Sequence, residues 1–392
     1  MEDGELFGAL SVRGDIIGKM VLEKLSLVDF RSYKKSEFHF SSTATLIVGP
    51  NTSGKTNILE AFYLLATGGS FRAVWLVEMI RWGGEIGRVR GEVSDGRAGN
   101  TETLKSTETL SLEIVLTGGE VNGRQVPKRK YFVNGVSKRQ IDFVGNLKCV
   151  IFRPEDIDLV LGPPTLRRDY LDGVLTQVDR EYRRCSYSYK RGLVQRNRLL
   201  DFIAEGRAKR SQLLFWDKLL IKNGEVITQR REEFVDFVNN FFKEKAGALK
   251  IDGLKIFYDR SVISEARLEK YAEAEVAVGA TLVGPHRDDF SLLIKPKEES
   301  KNEDNLRNLS LYGSRGEQRL AVLALKLVEL VFIEEKTGDK PVLLLDDIFS
   351  EFDREHREVV VGILGKQQTI VTATEVGVVE KKFLKDVRVV EL

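Results

Sequence analysis

Apolar and polar residues alternate with different periods along this 392-residue chain. In residues 20–48 the apolar positions recur in short, strand-like segments, and residues 57–67 carry them at helical spacing. Strand-like segments return at 110–116 and 130–133, and the Asn134-Gly135 dipeptide that follows favours a type I′ hairpin. The first part of the chain is therefore predicted to be an early helix accompanied by an antiparallel sheet.

The pattern changes after Pro163-Pro164, where apolar positions take the spacing of long helices. One helix is predicted through residues 171–189, and a second covers 234–242 and ends near Gly247. Shorter strand-like segments follow, at 254–258, 280–283 and 290–294. The two long helices predict a helical hairpin arm.

The junction between the strand at 45–48 and the helix at 57–67 carries the strongest chemical signal. Residues 49–56 fit the pattern G-x-x-x-x-G-K-[ST] of a phosphate-binding loop. Glycines let consecutive backbone N–H groups point at one anion, and the positive end of the helix dipole adds to the attraction. Lys55 would reach the β- and γ-phosphates of ATP, and Thr56 a Mg²⁺ ion. The predicted nucleotide-binding residues of this loop are Gly49, Pro50, Asn51, Thr52, Ser53, Gly54, Lys55 and Thr56.

A second signal lies in residues 341–347, an apolar run that ends in two aspartates, as a Walker B strand does. Buried strands of parallel sheets are continuously apolar, and their carboxyl ends hold ligands. Asp346 would orient Mg²⁺ and Asp347 would polarise the attacking water. Standing alone, the run could equally be a buried strand that ends in a solvated acidic turn.

A third signal is the S-x-G-x-Q element within residues 312–319, at the start of a predicted helix. Ser314 and the N–H groups near Gly316 would form a second anion-binding helix end. A single subunit already surrounds the phosphates with its own loop, so this element would face the ATP of a partner in an ATP-sandwich dimer. The alternative is an ordinary helix cap with Ser314 as N-cap.

Composition narrows the class of protein. The chain has 61 basic and 59 acidic residues, so any nucleic-acid surface must be local. Two cysteines are too few for a disulfide framework, and no apolar run approaches the ~20 residues of a membrane span. We therefore expect a reduced, cytoplasmic protein without a membrane partner.

Taken together, the motifs resemble the RecF family of bacterial recombination-repair ATPases, which are related to the ABC-type heads of chromosome-maintenance proteins. The resemblance covers nearly everything after Met20. It rests on residues 30–33 (FRSY), 49–72, 152–164 (FRPEDIDLVLGPP), 167–172 (RRDYLD), 281–290 (TLVGPHRDDF), 312–327 and 343–353 (LLLDDIFSEFD).

The resemblance implies an α/β fold: an ABC-type ATPase head with mixed sheets assembled from both chain ends, plus an inserted helical arm. It implies that Lys55 and Asp347 are catalytic, that Thr56 and Asp346 serve Mg²⁺, and that Arg31 joins the ATP-binding set. It also implies that four residues of the 312–319 element act on the partner's ATP and that Asp353 touches the partner. Those four residues are Ser314, Arg315, Gly316 and Gln318.

Domain boundaries follow from this assignment. Residues 1–19 would be an extension, either disordered or foreign to the native protein. Residues 20–164 and 251–392 would form the two parts of the head, and 165–250 the arm. A chain of this length usually forms two domains, or one domain with a large insertion.

A DNA-binding surface is predicted on the arm, because residues 180–210 contain ten Lys or Arg and only three acidic residues. Such a run is as often an ordinary solvated helix face. If it contacts phosphates, binding would be independent of sequence and sensitive to salt. The candidate contacts are Arg183, Arg184, Lys190, Arg191, Arg196 and Arg198.

The expected function is ATP-dependent DNA binding in recombinational repair and replication-fork maintenance. ATP would close a homodimer on duplex DNA near single-strand gaps and assist recombinase loading. Weak, DNA-stimulated ATP hydrolysis would release it, since Asp347 stands where many such ATPases have glutamate. RecR and RecO are the protein partners that the resemblance implies. The alternatives are the nucleotide-binding subunit of an ABC-type transporter and a structural scaffold similar to the chromosome-maintenance proteins.

Overall fold

A computed structural model describes residues 18–95, 109–249, 253–295, 306–350, 366–378 and 387–392. The chain forms two compact units. The first combines Met1–Asp156 with Lys326–Leu392, and the second is Ile157–Leu325. Both ends of the chain thus contribute to the first unit, and the second is inserted between them. None of the helices in the described ranges is long and apolar enough to cross a membrane.

The strands of the first unit differ in burial, from fully buried apolar runs to short exposed segments. They are β1 (Gly18–Phe30), β2 (Tyr33–His39), β3 (Ala44–Val48), β4 (Ile86–Asp95), β5 (Leu110–Thr117), β6 (Glu120–Val121), β7 (Arg124–Gln125), β8 (Arg129–Val133), β9 (Val136–Lys138), β10 (Cys149–Phe152), β14 (Asp339–Lys340), β15 (Val342–Asp346), β16 (Thr369–Ala373) and β17 (Val387–Glu391). Its helices are α1 (Lys55–Thr67) and α2 (Gln140–Phe143), with the second part of α9 (Arg315–Thr337), which crosses the unit boundary.

A parallel sheet in the order β10-β15-β16-β3-β17 forms the centre of the first unit. All residues of β3, β15 and β16 are buried, as expected for strands covered on both faces. The apolar positions of α1 are also fully buried against the core. This sheet and helix hold the phosphate-binding loop.

A second sheet of the first unit runs in the order β14-β1-β4-β5-β8-β9, with β2 paired to β1. Its pairs are antiparallel except for β1 with β14. Asn134 and Gly135 join β8 to β9 with φ angles of 49° and 76°, as a type I′ turn requires. The predicted hairpin is therefore confirmed.

The second unit is mostly helical. It contains α3 (Asp158–Leu161), α4 (Pro164–Val178), α5 (Arg180–Ala204), α6 (Leu214–Leu249), α7 (Glu265–Val278), α8 (Leu309–Tyr312) and the first part of α9. A three-stranded antiparallel sheet joins β11 (Lys255–Asp259), β12 (Asp289–Ile294) and β13 (Arg307–Asn308). Helices α5 and α6 form the hairpin that the sequence predicts, separated near Gly206.

Two sequence predictions in the second unit are wrong, and one helix was not predicted. The helix predicted through 171–189 is two helices, because Asp179 leaves the helical conformation and accepts hydrogen bonds from the N–H groups of Glu181 (2.7 Å) and Tyr182 (3.0 Å). Residues 280–283 are a loop, since side-chain oxygens of Asn197 and Glu275 accept from its backbone in place of a neighbouring strand. Helix α7 has no counterpart among the sequence predictions.

The unit boundaries differ from the predicted domain limits. Residues 253–295, assigned from sequence to the head, lie in the second unit with α4, α5 and α6. Ion pairs explain the difference, because Arg167 of α4 binds Asp289 at the start of β12, with Nε–Oδ1 at 2.6 Å. Most of the predicted extension, residues 1–17, lies outside the described residues, and β1 already begins at Gly18.

Candidate nucleotide-binding site

The predicted phosphate-binding loop connects β3 to α1, as the motif requires. Gly54 is the N-cap of α1 with φ of 104°, and no side chain caps the helix. A Cβ atom at Gly54 would lie 2.6 Å from the Tyr33 hydroxyl oxygen and 3.0 Å from Ser32 Oγ, so only glycine fits. Thr52 also has a positive φ, 74°. The loop is thus held in a curled conformation that ordinary residues adopt at a cost.

Lys55 is buried, and its ammonium group lies inside the loop. Nζ donates to the carbonyl oxygens of Gly49 (2.8 Å) and Pro50 (3.1 Å). Ser53 Oγ is buried and has no hydrogen-bond partner within the part of the chain that the structure describes. An unsatisfied buried hydroxyl is costly, so a donor and a cation are both available to an incoming phosphate.

Thr56 and Asp346, which are 290 positions apart, meet at the carboxyl end of the parallel sheet. Thr56 Oγ1 donates to Asp346 Oδ1 at 3.2 Å, and Thr372 Oγ1 lies 2.7 Å from the same oxygen. Thr372 is the β16 residue in register with Asp346 of β15. The backbone N–H of Asp347 donates to Thr372 Oγ1 at 3.0 Å, and Asp347 itself has φ of 48°. Thr372 therefore holds both aspartates in place.

The electrostatics of Asp346 fit a cation site. Burial raises the pKa of Asp346, the two threonine hydroxyls lower it, and the neighbouring charge of Asp347 raises it further, so that the net shift is upward. No ion pair to this carboxylate is present among the described residues. A carboxylate and a hydroxyl are the hard oxygen ligands that Mg²⁺ prefers. Thr56 and Asp346 thus supply an anionic pair of oxygen ligands.

Arg31, predicted to bind nucleotide, lies against α1. Its Nε and Nη2 atoms donate to the two carboxylate oxygens of Glu60 at 2.7 and 2.6 Å, and Nη1 donates to the Glu78 carbonyl at 2.7 Å. Glu60 is fully buried and also accepts from Ser70 Oγ. Sequence reasoning missed Glu60 and did not predict the contacts of Thr372 with the two aspartates. The signal for Glu60 was a charged residue within the apolar face of α1, whereas no local pattern indicates the contacts of Thr372.

The S-x-G-x-Q element is in the second unit, at the start of α9. Ser314 Oγ accepts from Glu317 N–H at 3.3 Å, and Glu317 Oε2 accepts from Ser314 N–H at 2.9 Å, so the two residues form a capping box. Ser314, Arg315 and Gly316 are exposed, and a Cβ at Gly316 would meet nothing within 4 Å. Gly316 is therefore not required by the packing of its own unit.

Gln318 has a different environment from the rest of the element. It is buried, and its amide nitrogen donates to the carbonyl oxygens of Leu309 (3.0 Å) and Gly313 (3.2 Å). The Gln318 side chain therefore stabilises the segment through hydrogen bonds made on its buried side. Asp353, the predicted partner contact, lies outside the described residues.

The predicted DNA contacts on α5 divide into two groups. Arg184, Arg191 and Arg198 are exposed and follow one another at intervals of seven residues, about two helical turns. Lys190 is exposed, but its Nζ lies 2.7 Å from Asp172 Oδ2. Arg183 is half-buried and donates to the Thr176 carbonyl oxygen at 2.6 Å. The first three side chains project into solvent, where Arg184 Nη2 also lies 3.7 Å from Glu181 Oε1.

The prediction for Arg196 is wrong. This side chain is only 2% exposed, on the buried face of α5. Its guanidinium binds Asp217 and Glu275, both at 2.7 Å, and Thr281 Oγ1 at 2.8 Å. Arg196 therefore contributes to the core of the second unit and is not accessible to DNA.

The sequence profile described as "RecF/RecN/SMC N terminal domain" matches residues 21–390. A relative named "DNA replication and repair protein RecF" from Thermomicrobium roseum is 35% identical, with 93% of this chain and 96% of the relative covered. A protein of the same name from Moorella thermoacetica is 34% identical, with 93% and 92% covered.

Two solved structures are similar over nearly the whole chain. One, "Structure of the recombination mediator protein RecF-ATP in RecFOR pathway", has a TM-score of 0.79 at 31% identity and covers 94% of this chain and 96% of its own. The other, of RecF-ATPrS in the same pathway, has a TM-score of 0.78 at 32% identity, with 93% and 95% covered. The predicted α/β ABC-type head with mixed sheets and an inserted helical region is confirmed by this likeness. The chain belongs to the RecF family.

Proposed function

We propose that this protein is an ATP-dependent DNA-binding protein of recombinational repair and replication-fork maintenance. ATP drives its dimerisation on duplex DNA near single-strand gaps, where it assists recombinase loading, and slow hydrolysis releases it. The observation that carries the proposal is the contact of Thr56 with Asp346 beside a curled glycine loop. RecR and RecO are the proposed protein partners, because the similar solved structures belong to proteins of the RecFOR pathway.

In the proposed mechanism, the loop N–H groups bind the phosphates of ATP, and Lys55 turns from the Gly49 and Pro50 carbonyl oxygens to the β- and γ-phosphates. Thr56 and Asp346 would hold Mg²⁺, and the bound ion would neutralise charge that develops on the phosphates. Asp347 orients the attacking water. Its side chain is shorter than the glutamate of faster ATPases, which favours slow turnover and suits a switch.

The exposed residues Ser314, Arg315 and Gly316 act on the ATP that a second copy of the chain holds. The open space at Gly316 supports this role, since glycine near a helix start costs up to ~1 kcal/mol relative to alanine and nothing in its own unit requires it. Gln318 supports the segment from within. Arg184, Arg191 and Arg198 contact DNA phosphates, independently of base sequence.

Nucleotide binding at the loop is tested with Lys55→Arg. A guanidinium cannot reproduce the compact ammonium contact, so the variant should retain some ATP binding and lose at least ~100-fold in hydrolysis rate. DNA-stimulated phosphate release and analytical ultracentrifugation with ATP measure the two effects. Wild-type protein that stays monomeric with ATP and DNA under all conditions would refute the proposal, and unchanged turnover in Lys55→Arg would refute the role of the lysine.

The trans role of the S-x-G-x-Q element is tested with Ser314→Arg. The long cation should leave ATP binding unchanged but block closure, because it fills the space that the second ATP needs. Ser137→Arg is the matched control, an exposed serine in the β8–β9 hairpin. ATP-dependent dimerisation of Ser314→Arg at the wild-type level would show that the element does not face a partner.

A further inference from the structure

Two tryptophans lie at the surface of the first unit, in the segment 70–84 between α1 and β4. Trp82 is 97% exposed and Trp75 is 70% exposed, and Val74 and Val77 beside them are also exposed. Tryptophan is ordinarily among the more buried residues, and clustered exposed apolar side chains mark binding surfaces. We refer to Val74, Trp75, Val77 and Trp82 as the indole surface.

The backbone beneath the indole surface is fixed. Met79 and Ile80, between the two tryptophans, are buried in the core. The Met79 carbonyl oxygen accepts from Arg31 N–H at 2.9 Å, and Arg81 N–H donates to the Asp29 carbonyl oxygen at 2.8 Å. The segment therefore presents its indoles from an anchored backbone, and little conformational entropy is lost when they bind a ligand.

Charge around the indole surface favours an anionic ligand. Arg72 lies in the same segment, and Lys34 and Lys35 follow the β1–β2 turn to which the segment is hydrogen-bonded. All three cations are exposed, and none makes an ion pair with a carboxylate in the described ranges. The acidic Glu78 is engaged locally, since its carboxylate accepts from Val74 N–H at 3.1 Å. Cations without a carboxylate partner in the described ranges thus accompany the exposed indoles, and Arg72 Nη1 also donates to Asn57 Oδ1 at 3.3 Å.

This combination distinguishes between ligand classes. A DNA duplex keeps its base faces within the stack and offers the indoles no ring to stack on. Unpaired bases offer π-faces, and surfaces that bind single strands combine aromatic side chains with cations along the backbone. We propose that Trp75 and Trp82 stack on unpaired bases of single-stranded DNA while Arg72 and one of the two lysines face its phosphates, because the consecutive β2 residues Lys34 and Lys35 point to opposite faces of the sheet. The inference rests on the proposed DNA-binding function and names the form of DNA that this surface takes.

The chain's tryptophan content permits a direct test. It has three tryptophans, and the third, Trp216, lies in α6 of the second unit. In a Trp216→Phe background only the indole surface emits. Oligodeoxythymidylate should quench this emission, whereas a blunt duplex of equal length should bind without quenching it.

Substitution of the indoles supplies the second readout. Trp82→Ala and Trp75→Ala should each weaken oligodeoxythymidylate binding about tenfold, as expected for one lost stacking contact, and leave duplex binding unchanged. Trp82→Phe should lose less, since it retains a ring. Val136→Ala removes an exposed apolar side chain elsewhere in the unit and should have no effect.

The outcomes separate this inference from the proposed function. Oligonucleotide binding, measured by anisotropy, without any change in indole emission would overturn the inference while leaving ATP-dependent dimerisation on duplex DNA intact. An emission change on adding ATP without DNA would show that a second copy covers the indole surface, which also overturns it. Loss of ATP-dependent dimerisation and duplex binding in the wild-type protein would instead count against the proposed function.

Discussion

The nucleotide loop of the first unit and the charged core of the second unit treat buried polar groups in opposite ways. In the loop, Lys55 binds only carbonyl oxygens, Asp346 binds only hydroxyl groups, and Ser53 Oγ has no partner among the described residues. These groups can change partners when a ligand arrives. Their incomplete pairing is what a binding site requires.

In the charged core of the second unit the groups satisfy one another. Arg231, 3% exposed, donates to Asp172 Oδ1 (2.8 Å), Asp288 Oδ2 (2.8 Å), the Tyr182 hydroxyl (3.1 Å) and the Pro285 carbonyl oxygen (2.7 Å). Although burial alone would raise the pKa of Asp172, Arg231 and Lys190 hold it well below its usual value, whereas burial outweighs the same guanidinium at Asp288 and leaves the pKa of that carboxyl raised. A complete network of this kind serves to fix a structure.

Buried charge by itself therefore does not indicate a functional site. The 281–290 segment, like the phosphate-binding loop, carries part of the family resemblance, yet Asp288 and Asp289 serve internal ion pairs. What separates the two regions is whether the chain itself completes the polar contacts. Substitutions in each region therefore have different expected effects.

The largest effect is expected for Arg231→Leu. Removing the guanidinium leaves the carboxylates of Asp172 and Asp288 buried without their main cation, which costs about 3–5 kcal/mol in the free energy of unfolding. Urea denaturation measures this loss. Arg230→Leu is the matched control, because Arg230 is partly exposed, pairs at the surface and should cost at most about 1 kcal/mol. Equal losses for both variants would remove the distinction between a complete buried network and an ordinary surface pair.

The next largest effect is a pH dependence of the free energy of unfolding that arises from His286. The Tyr189 hydroxyl lies 2.8 Å from Nδ1 of this histidine, and the Thr281 carbonyl oxygen lies 3.0 Å from Nε2. Burial lowers the pKa of His286 from 6.5 to about 4. The unfolded chain therefore binds a proton before the folded one as the pH falls. Stability that is fully present above pH 6.5 should be lost progressively toward pH 4, by up to about 3 kcal/mol.

Urea denaturation across this pH range measures the dependence, with His286→Gln as the control because glutamine can donate and accept but does not titrate. Carboxylates contribute to acid destabilisation in both proteins, so the difference between the two curves isolates the histidine. Parallel curves for the wild type and His286→Gln would contradict the assignment.

The sequence predicted those parts of the fold in which local pattern and packing agree. The phosphate-binding loop between β3 and α1 and the β8–β9 hairpin are of this kind, since specific residues and periodicity act together. The segment 280–283 was predicted as a strand from its apolar residues. It is a loop because its backbone N–H groups bond to side chains of Glu275, seven positions away, and of Asn197, 84 positions away, which the local pattern does not show. Helix α7 buries only Leu268 and Glu275 among its described side chains, so its apolar periodicity is weak.

For the candidate site, the two motifs predicted that Thr56 and Asp346 lie together, because both residues are expected to bind the same Mg²⁺ ion. Arg196 was misassigned from net charge, although it follows the buried Tyr182 and Tyr189 at the same interval of seven residues. That spacing placed it on the buried face. The contacts of Thr372 could not be predicted, because a threonine in a buried strand is ordinary until the register places it beside Asp346.

Asp346→Asn is expected to have the smallest effect on the free energy of unfolding and, unlike the substitutions above, to raise it. The raised pKa means that the charged carboxylate costs free energy in the folded, nucleotide-free protein. Asparagine keeps an oxygen for the Thr56 and Thr372 hydroxyls and removes the charge, so the free energy of unfolding at neutral pH should rise by about 1 kcal/mol. Mg²⁺-dependent ATP binding should be lost at the same time.

Because the folded state holds the Asp346 proton to higher pH than the unfolded state, the gain should disappear in acid, where aspartate is protonated in both states. Asp347→Asn, next to it and less buried, should change stability by no more than about 0.5 kcal/mol. Thermal and urea unfolding at neutral and acid pH measure all three proteins. Destabilisation by Asp346→Asn would mean that the chain itself compensates this charge, and the nucleotide loop would then be a completed network like the one around Arg231.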